Sequence, residues 1–569
     1  MSSPRFPEPP PSVPATSLPT VDALVAGLVA RKDHWVQVGL PRRVELLRAC
    51  IDATVAAAEG WVLASCKAKG IDPGSSLAGQ EWLGGPMAVV RNMRLLVEAL
   101  EQGGKPKLPG VHTRPDGQVV ADVFPDTLLD KLLYTGYRAE VWIEPGESAS
   151  QGQIYRDKAA GKVAPGKVAL VLGAGNVSSI GAMDALYKLF AEDEVAIIKT
   201  NPVNAYIGAS YEAALKPLVD EGVLAVVHGG AEVGQHLTAH PDISSVHITG
   251  SDRTHDAIVW GADPDEQARR KAANDPKLNK PISSELGCVT PVLVVPGDWS
   301  ESDLDYHALQ VASMVENNGS FNCNAAKALV LARGWPQRQR FVEKVRAALA
   351  SIPTRKAYYP GALDRYQAFV SRYPNAVKLV EGAENVVPWT VLPDVPPQAG
   401  EYALTQEAFC GVLAEVSLDA TEPADFLKKA TDFANDVMWG SLSCCLLIHP
   451  ATAAANAAAL DAAIAGLRYG GIAVNAWAAV LYALSVTTWG AYPGHPLTDI
   501  RSGRGVVHNT YLLDHPQKSV VYAPFRIKPT PPWFSNHRNL RQLGERLTKL
   551  EAAPSLLGVP AVALAAMRG

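Results

Sequence analysis

One cysteine of this chain sits in a setting suited to nucleophilic chemistry. The segment Asn317-Asn318-Gly319-Ser320-Phe321-Asn322-Cys323-Asn324 is small, polar and turn-forming, and lies between a helical stretch at 306–315 and an apolar run at 328–331. A structural thiol belongs in an apolar periodic stretch, whereas a nucleophilic one needs access, a tight backbone and nearby donors. Cys323 has the second setting. Cys444 and Cys445 lie in an apolar run before His449, and Cys410 adjoins apolar residues, as packed strand thiols do. The seven cysteines include no C-x-x-C spacing, so neither a disulfide framework nor a metal site is implied. Upstream, Glu285 stands alone between an apolar approach and the Leu286-Gly287 turn. Such a glutamate is commonly a surface group, but beside a nucleophile it can serve as a general base.

Positioning these groups requires a framework, and residues 167–259 supply the clearest one. Apolar strands at 168–172, 194–199, 224–228 and 245–248 alternate with helical stretches at 179–190, 205–218, 233–240 and 251–259. That alternation predicts a parallel, doubly wound sheet, in which ligands bind at the carboxyl ends of strands. Those ends carry Gly173-Ala174-Gly175-Asn176, Lys199-Thr200-Asn201-Pro202, His228-Gly229-Gly230 and Thr249-Gly250-Ser251. Glycine after a strand is also ordinary turn chemistry, and Lys199 could be a solvated lysine. The dinucleotide fingerprint G-x-G-x-x-G is incomplete, with Ser178 in its last place. Thr249-Gly250-Ser251 opening a helix is the better phosphate seat, because free backbone N–H groups and the helix dipole meet an anion there.

Elsewhere the periodicity predicts scaffold helices over 21–99, loops and short strands over 103–126, and a hairpin arm over 137–154. Residues 261–280 read as a charged, solvated insertion. A second α/β region follows at 289–476. Residues 469–498 carry no Asp, Glu, Lys or Arg and approach bilayer-spanning length, but Gly470, Gly471, Asn475, Pro493 and Pro496 interrupt them, so a buried strand and helix are expected. The Pro- and Ser-rich residues 1–20 lack a signal-peptide core and are expected to be a disordered leader. With 569 residues, 47% hydrophobic and 19% charged, the chain fits two or three soluble domains. A formal charge of -5 with dispersed Lys and Arg gives no reason to expect nucleic acid. A reducing, cytoplasmic setting is expected.

The ordered set Gly175-Asn176, Lys199, Thr249-Gly250-Ser251, Glu285-Leu286-Gly287, Cys323, Glu407-Ala408-Phe409, Asn475 and Ser502-Gly503-Arg504-Gly505 resembles the aldehyde dehydrogenase superfamily across residues 20–525. The resemblance implies an α/β fold with a Rossmann-like cofactor domain, an α/β catalytic domain and a small β oligomerisation arm. Residues 21–287 would bind NAD(P), with 137–160 as the oligomerisation hairpin. Residues 288–500 would be catalytic and 501–525 would return a strand to the arm, leaving 526–569 as a tail the family does not explain. A homodimer or homotetramer follows from the arm. Cys323 resembles the nucleophile, Glu285 the base that activates water, and Asn176 the amide that shares the oxyanion hole with the Cys323 backbone N–H. Lys199 would face the cofactor ribose, Gly250 and Ser251 its pyrophosphate, and Glu407 and Phe409 the nicotinamide ribose and ring.

The implied reaction is NAD(P)-dependent oxidation of an aldehyde to a carboxylic acid through a cysteine thiohemiacetal and thioester. Alternatives are a CoA-linked acylating dehydrogenase or acyl reductase, and a catalytically silent scaffold. Several positions depart from the family. Phe321-Asn322 replaces the Gly-Gln that usually precedes the cysteine, Cys288 replaces a glycine, and Gly175 replaces an aromatic. Pro202 stands where a carboxylate would bind the 2′-hydroxyl of NAD, which removes repulsion against a 2′-phosphate and tilts the reading toward NADP. The uncharged 477–493 stretch would line the substrate entrance and favour apolar aldehydes, although ordinary core packing is the commoner explanation of such a stretch.

Overall fold

A computed structural model describes residues 13–569. Its framework is two sheets, each with its own apolar core.

The six-stranded sheet runs in the order Gly503–Arg504, Ile282–Leu286, Ser245–Gly250, Lys167–Leu172, Glu194–Lys199, Leu224–Val227. All neighbours are parallel except Gly503–Arg504. The chain leaves Lys167–Leu172 toward one edge through two strands, then returns to build Ser245–Gly250 and Ile282–Leu286 on its other side. The strand order therefore reverses beside Gly173, where an open α/β sheet leaves a crevice at its carboxyl end. The interior strands read as continuous apolar runs because helices such as Leu18–Trp35 and Ile180–Phe190 cover the sheet.

The second sheet has eleven strands. Seven parallel strands, from Pro516–Tyr522 through Ala326–Ala332 to Thr390–Leu392, are extended antiparallel by Arg138–Ile143, Val119–Phe124 and Gly110–Thr113 at one edge and by Val377–Lys378 at the other. The strand that follows Cys323 and the expected arm thus belong to one hydrogen-bonded sheet.

Three expectations change. Part of the leader, residues 1–12, lies outside the described residues, and residues 18–20 already belong to the helix Leu18–Trp35, capped by Ser17. The hairpin is narrower than 137–160: Arg138–Ile143 pairs with Val119–Phe124, and Gln153–Ala159 is a helix. Residues 205–218 do not form one helix. A 3₁₀ turn at Pro202–Ile207 and helices at Gly208–Ala214 and Lys216–Asp220 replace it, because Pro217 has no N–H to donate and its ring obstructs the carbonyl four residues earlier. The charged stretch holds a helix, Pro264–Ala273, with no buried residue.

By length and composition the helix Leu40–Lys69 could cross a membrane. Here Leu46, Leu47, Cys50 and Trp61 are buried, and the helix packs against Ala88–Glu101 and Gly208–Ala214. Residues 526–569 run along the helix Glu301–Glu316, with Arg526 on Asp303 and the Ser535 N–H donating to Ser313 Oγ at 3.0 Å. They end in the helices Leu540–Ala552 and Val559–Met567.

Candidate active site

A cleft of about 1310 Å³ opens at the carboxyl ends of the six-stranded sheet and reaches the cysteine loop. Cys323 lies at its inner end with Asn176 and Glu285; Lys199, Gly250 and Ser251 line the sheet side, and Glu407 and Phe409 the opposite wall. All eight residues singled out from the sequence meet in this one cavity.

The cysteine loop is made by a left-handed run. The helix Glu301–Glu316 stops at Asn317, and Asn318, Gly319 and Ser320 take φ of 55°, 67° and 68°. Only glycine adopts that region without cost, so the loop must be held by its surroundings. Lys327, buried in the next strand, donates to the Asn322 and Ala325 carbonyls at 3.0 and 3.2 Å, and the Trp477 indole donates to Asn324 O at 2.8 Å. The amide of Asn176 donates to Phe321 O at 2.9 Å, which uses one of its two N–H groups and fixes the direction of the other. Phe321 itself joins Tyr358, Tyr359 and Phe409 in an aromatic cluster, so the departure before the cysteine has a packing role.

Glu285 faces Cys323 from the strand Ile282–Leu286. Gly503 pairs opposite it, and the Ser502 hydroxyl donates to Gly287 O at 2.8 Å, so the Ser-Gly-Arg-Gly stretch supports the glutamate turn. Burial, then the neighbouring Asp184 carboxylate, push the Glu285 carboxyl up to about 8. Asp184 is fixed by Thr249, which sits beside Glu285 in the parallel register and donates to Asp184 Oδ2 at 2.9 Å. Burial, then the Glu285 and Glu407 carboxyls, push the Cys323 thiol well above its ordinary value. The thiol is therefore held protonated beside a carboxyl that titrates near neutrality.

The remaining wall is cationic and glycine-lined. Lys199 is buried, with no carboxylate partner among the described residues, and burial lowers its ammonium to about 8. Glu407 accepts the Cys288 N–H at 3.3 Å, with Lys327 Nζ 3.9 Å away, and burial lifts it to about 7 against the pull of Lys327. Gly287 makes that approach possible, since a Cβ there would overlap the Glu407 carboxylate. Phe409 has a φ of 43°, and Arg365 braces it by donating to the Ala408 and Phe409 carbonyls at 3.1 and 3.3 Å. Ser251 caps the helix Asp252–Trp260 through its hydroxyl. Among the described residues no group of His, Cys, Asp and Glu is placed to hold a metal.

Sequence reasoning missed Lys327, Arg365, Tyr359 and Asp184. A lysine inside the apolar strand run was a visible signal for Lys327; the others are brought in by tertiary packing and left no local mark.

Residues 191–480 match the aldehyde dehydrogenase family. The chain belongs to that family. The matched span is half of the chain and contains seven of the eight residues singled out from the sequence, Asn176 being the exception. As an aldehyde dehydrogenase family member it is an oxidoreductase acting on aldehydes. It is 26% identical over 442 residues to 2-hydroxymuconic semialdehyde dehydrogenase of Pseudomonas sp. (strain CF600), covering 74% of this chain and 77% of that protein. Its fold is similar to the NAD-dependent aldehyde dehydrogenase from Sinorhizobium meliloti, with a TM-score of 0.60 and 17% identity over 91% of this chain and 89% of that one. The NADP-dependent glyceraldehyde-3-phosphate dehydrogenase from Bacillus halodurans C-125 is also similar, with a TM-score of 0.59 and 17% identity over 90% and 92%. The low identities mark a divergent member.

Proposed function

We propose that this protein oxidises an aldehyde to a carboxylic acid with NAD(P), using Cys323 as nucleophile and Glu285 as base. The observation that carries the reading is the meeting of a loop thiol, a carboxyl of raised pKa and a side-chain amide at the inner end of a cleft whose other walls suit a dinucleotide. The fit of that cofactor rests on the glycine-lined strand ends, the N-terminus of Asp252–Trp260, the buried Lys199 for a ribose and an acidic group at Glu407.

Cys323 releases its proton to water in the cleft as sulfur adds to the carbonyl carbon. The charge that develops on oxygen is met by the free N–H of Asn176 and the Cys323 backbone N–H. A bound nicotinamide dinucleotide supplies the two-electron acceptor that makes the adduct a thioester. Glu285, once deprotonated, takes a proton from water, which attacks the thioester and frees the thiol. Glu285 facing Cys323 favours water over CoA as the acyl acceptor. Asn201, Lys277 and Lys280 line the cleft near Lys199, and Pro202 replaces a carboxylate that would repel a 2′-phosphate, so NADP is accepted at least as well as NAD. Trp477 and Trp489 pack in the core behind the cysteine loop and Glu285, and the lack of charge in that stretch suits an apolar aldehyde. A homodimer or homotetramer would form through the exposed edge strand Gly110–Thr113.

The test is cofactor reduction with an aldehyde panel, with and without CoA. Cys323→Ser is expected to abolish turnover, and Glu285→Gln to keep a burst of reduced cofactor while losing steady-state rate by about 10²-fold or more. Turnover that requires CoA would support the acylating reading instead. Full activity of Cys323→Ser would overturn both.

A further inference from the structure

Behind the oxyanion corner lies a buried polar cluster that the chemistry above does not use. Lys69, the last residue of the helix Leu40–Lys69, points its ammonium inward and spends all three protons: on Glu81 Oε1 at 2.9 Å, the Asn176 backbone carbonyl at 3.0 Å and Asn318 Oδ1 at 3.1 Å. The Tyr358 hydroxyl lies 3.1 Å from the same carbonyl and 3.0 Å from Asn318 Oδ1. The amide of Asn318 reaches Asn176 O at 3.1 Å and Phe321 O at 3.2 Å. Each of these side chains is buried.

The cluster joins two turns that are distant in sequence. One carries Asn176, and the other is the left-handed run that ends at Cys323. Neither is a strand or an α-helix; Asn322 Nδ2 laces the cysteine loop to Asn317 O and Oδ1 at 3.3 and 3.0 Å, but bonds within one turn do not set its distance from the other to the small tolerance that an oxyanion hole needs. The geometry points to Lys69 as a positioning residue: seated by Glu81, its ammonium pins the Asn176 carbonyl to the Asn318 side chain and so fixes the spacing between the Asn176 amide and the Cys323 N–H. A buried lysine is costly unless its protons are satisfied, and here that cost is offset only when both turns are in place. The arrangement is therefore self-checking. Lys69 is stable in its site when the oxyanion corner is assembled and destabilised when it is not.

The anchor of Lys69 is itself braced by the tail. Glu81 lies on the short helix Gly79–Trp82, and the helix Leu540–Ala552 crosses it with the Leu540 main chain against Gly79 and Gly544 against Trp82. The segment 526–569 thereby contributes to the active site at second hand.

The inference rests on the proposed cysteine chemistry, and single-turnover kinetics separates the two. Lys69→Met is expected to lower the acylation rate constant by about 10²-fold, the loss typical of a misplaced catalytic group, with cofactor binding unchanged by fluorescence titration. Propylammonium should restore rate to Lys69→Ala, and propanol should not. Where the lysine variants do not fold, Tyr358→Phe decides, with an expected drop of up to about tenfold for one lost hydrogen bond. A folded Lys69→Met or Tyr358→Phe with wild-type acylation would overturn the inference. So would a Lys69→Ala defect that propylammonium leaves unmoved and that extends equally to cofactor binding. A burst that survives in Cys323→Ser would overturn the underlying chemistry instead.

Discussion

Glu285 is a base only when deprotonated, and its burial beside Asp184 places that event near pH 8 instead of the ordinary carboxylate range. Thioester hydrolysis should therefore rise with pH through about 8, while the burst depends on the same group less steeply. Asp184→Asn removes one of three causes, the others being burial and Glu407. The acid limb of the steady-state profile should move to lower pH by about one unit, since a like charge nearby is worth that much in buried pairs. A limb that stays in place would mean that burial and Glu407 set the value without Asp184. The proposed catalytic residues were legible because chemistry limits which types can serve: a thiol in a polar loop, a lone glutamate in an apolar approach and an asparagine after a strand are each unusual. Their supports were not. Lys69 and Tyr358 carry no local signature, because an inward-pointing lysine at a helix end looks the same in sequence as a solvated one.

At the scale of elements, the parallel strands were readable nearly to their ends, since strands covered on both faces are uninterrupted apolar runs. Errors arose where long-range packing or a single proline decides the outcome. Residues 153–159 alternate weakly enough to be read as strand, yet they form a helix whose Tyr155 hydroxyl donates to Phe190 O at 2.5 Å. The tail was opaque because its meaning lies in what it touches. Glu551 on the helix Leu540–Ala552 is buried against Arg91 at 2.5 Å and Arg94 at 2.7 Å. Burial raises its carboxyl, but the two guanidiniums outweigh that and hold it below the ordinary value. Glu551→Gln should cost about 3–5 kcal/mol by urea titration, because two buried cations lose their counter-charge. The same contact contributes stability above the unfolded carboxylate's pKa and loses it as pH falls through the lowered folded value. Gly79→Ala should destabilise by about 1–3 kcal/mol, as a Cβ there overlaps the Leu540 main chain.

For the whole molecule, the two sheets and the cleft between them were foreseeable from the order of the motifs, whereas the union of the arm and the catalytic strands in a single eleven-stranded sheet was not. The exposed Gly110–Thr113 strand closes that sheet with unpaired backbone groups, which is a surface for pairing with another chain. Light scattering on the purified protein should give a dimer or tetramer, and a proline at Val111 should shift the distribution toward monomer.

All seven cysteines are free, six of them are buried, and Cys323 alone has partial access, through the cleft. The chain thus carries its own gauge of integrity. An alkylating reagent counted by intact-mass spectrometry should add one label to the native protein and none when cofactor shields the cleft. Six further labels should appear together as denaturant opens the two cores, so storage, ligand binding and unfolding can each be followed on unmodified protein without an introduced probe.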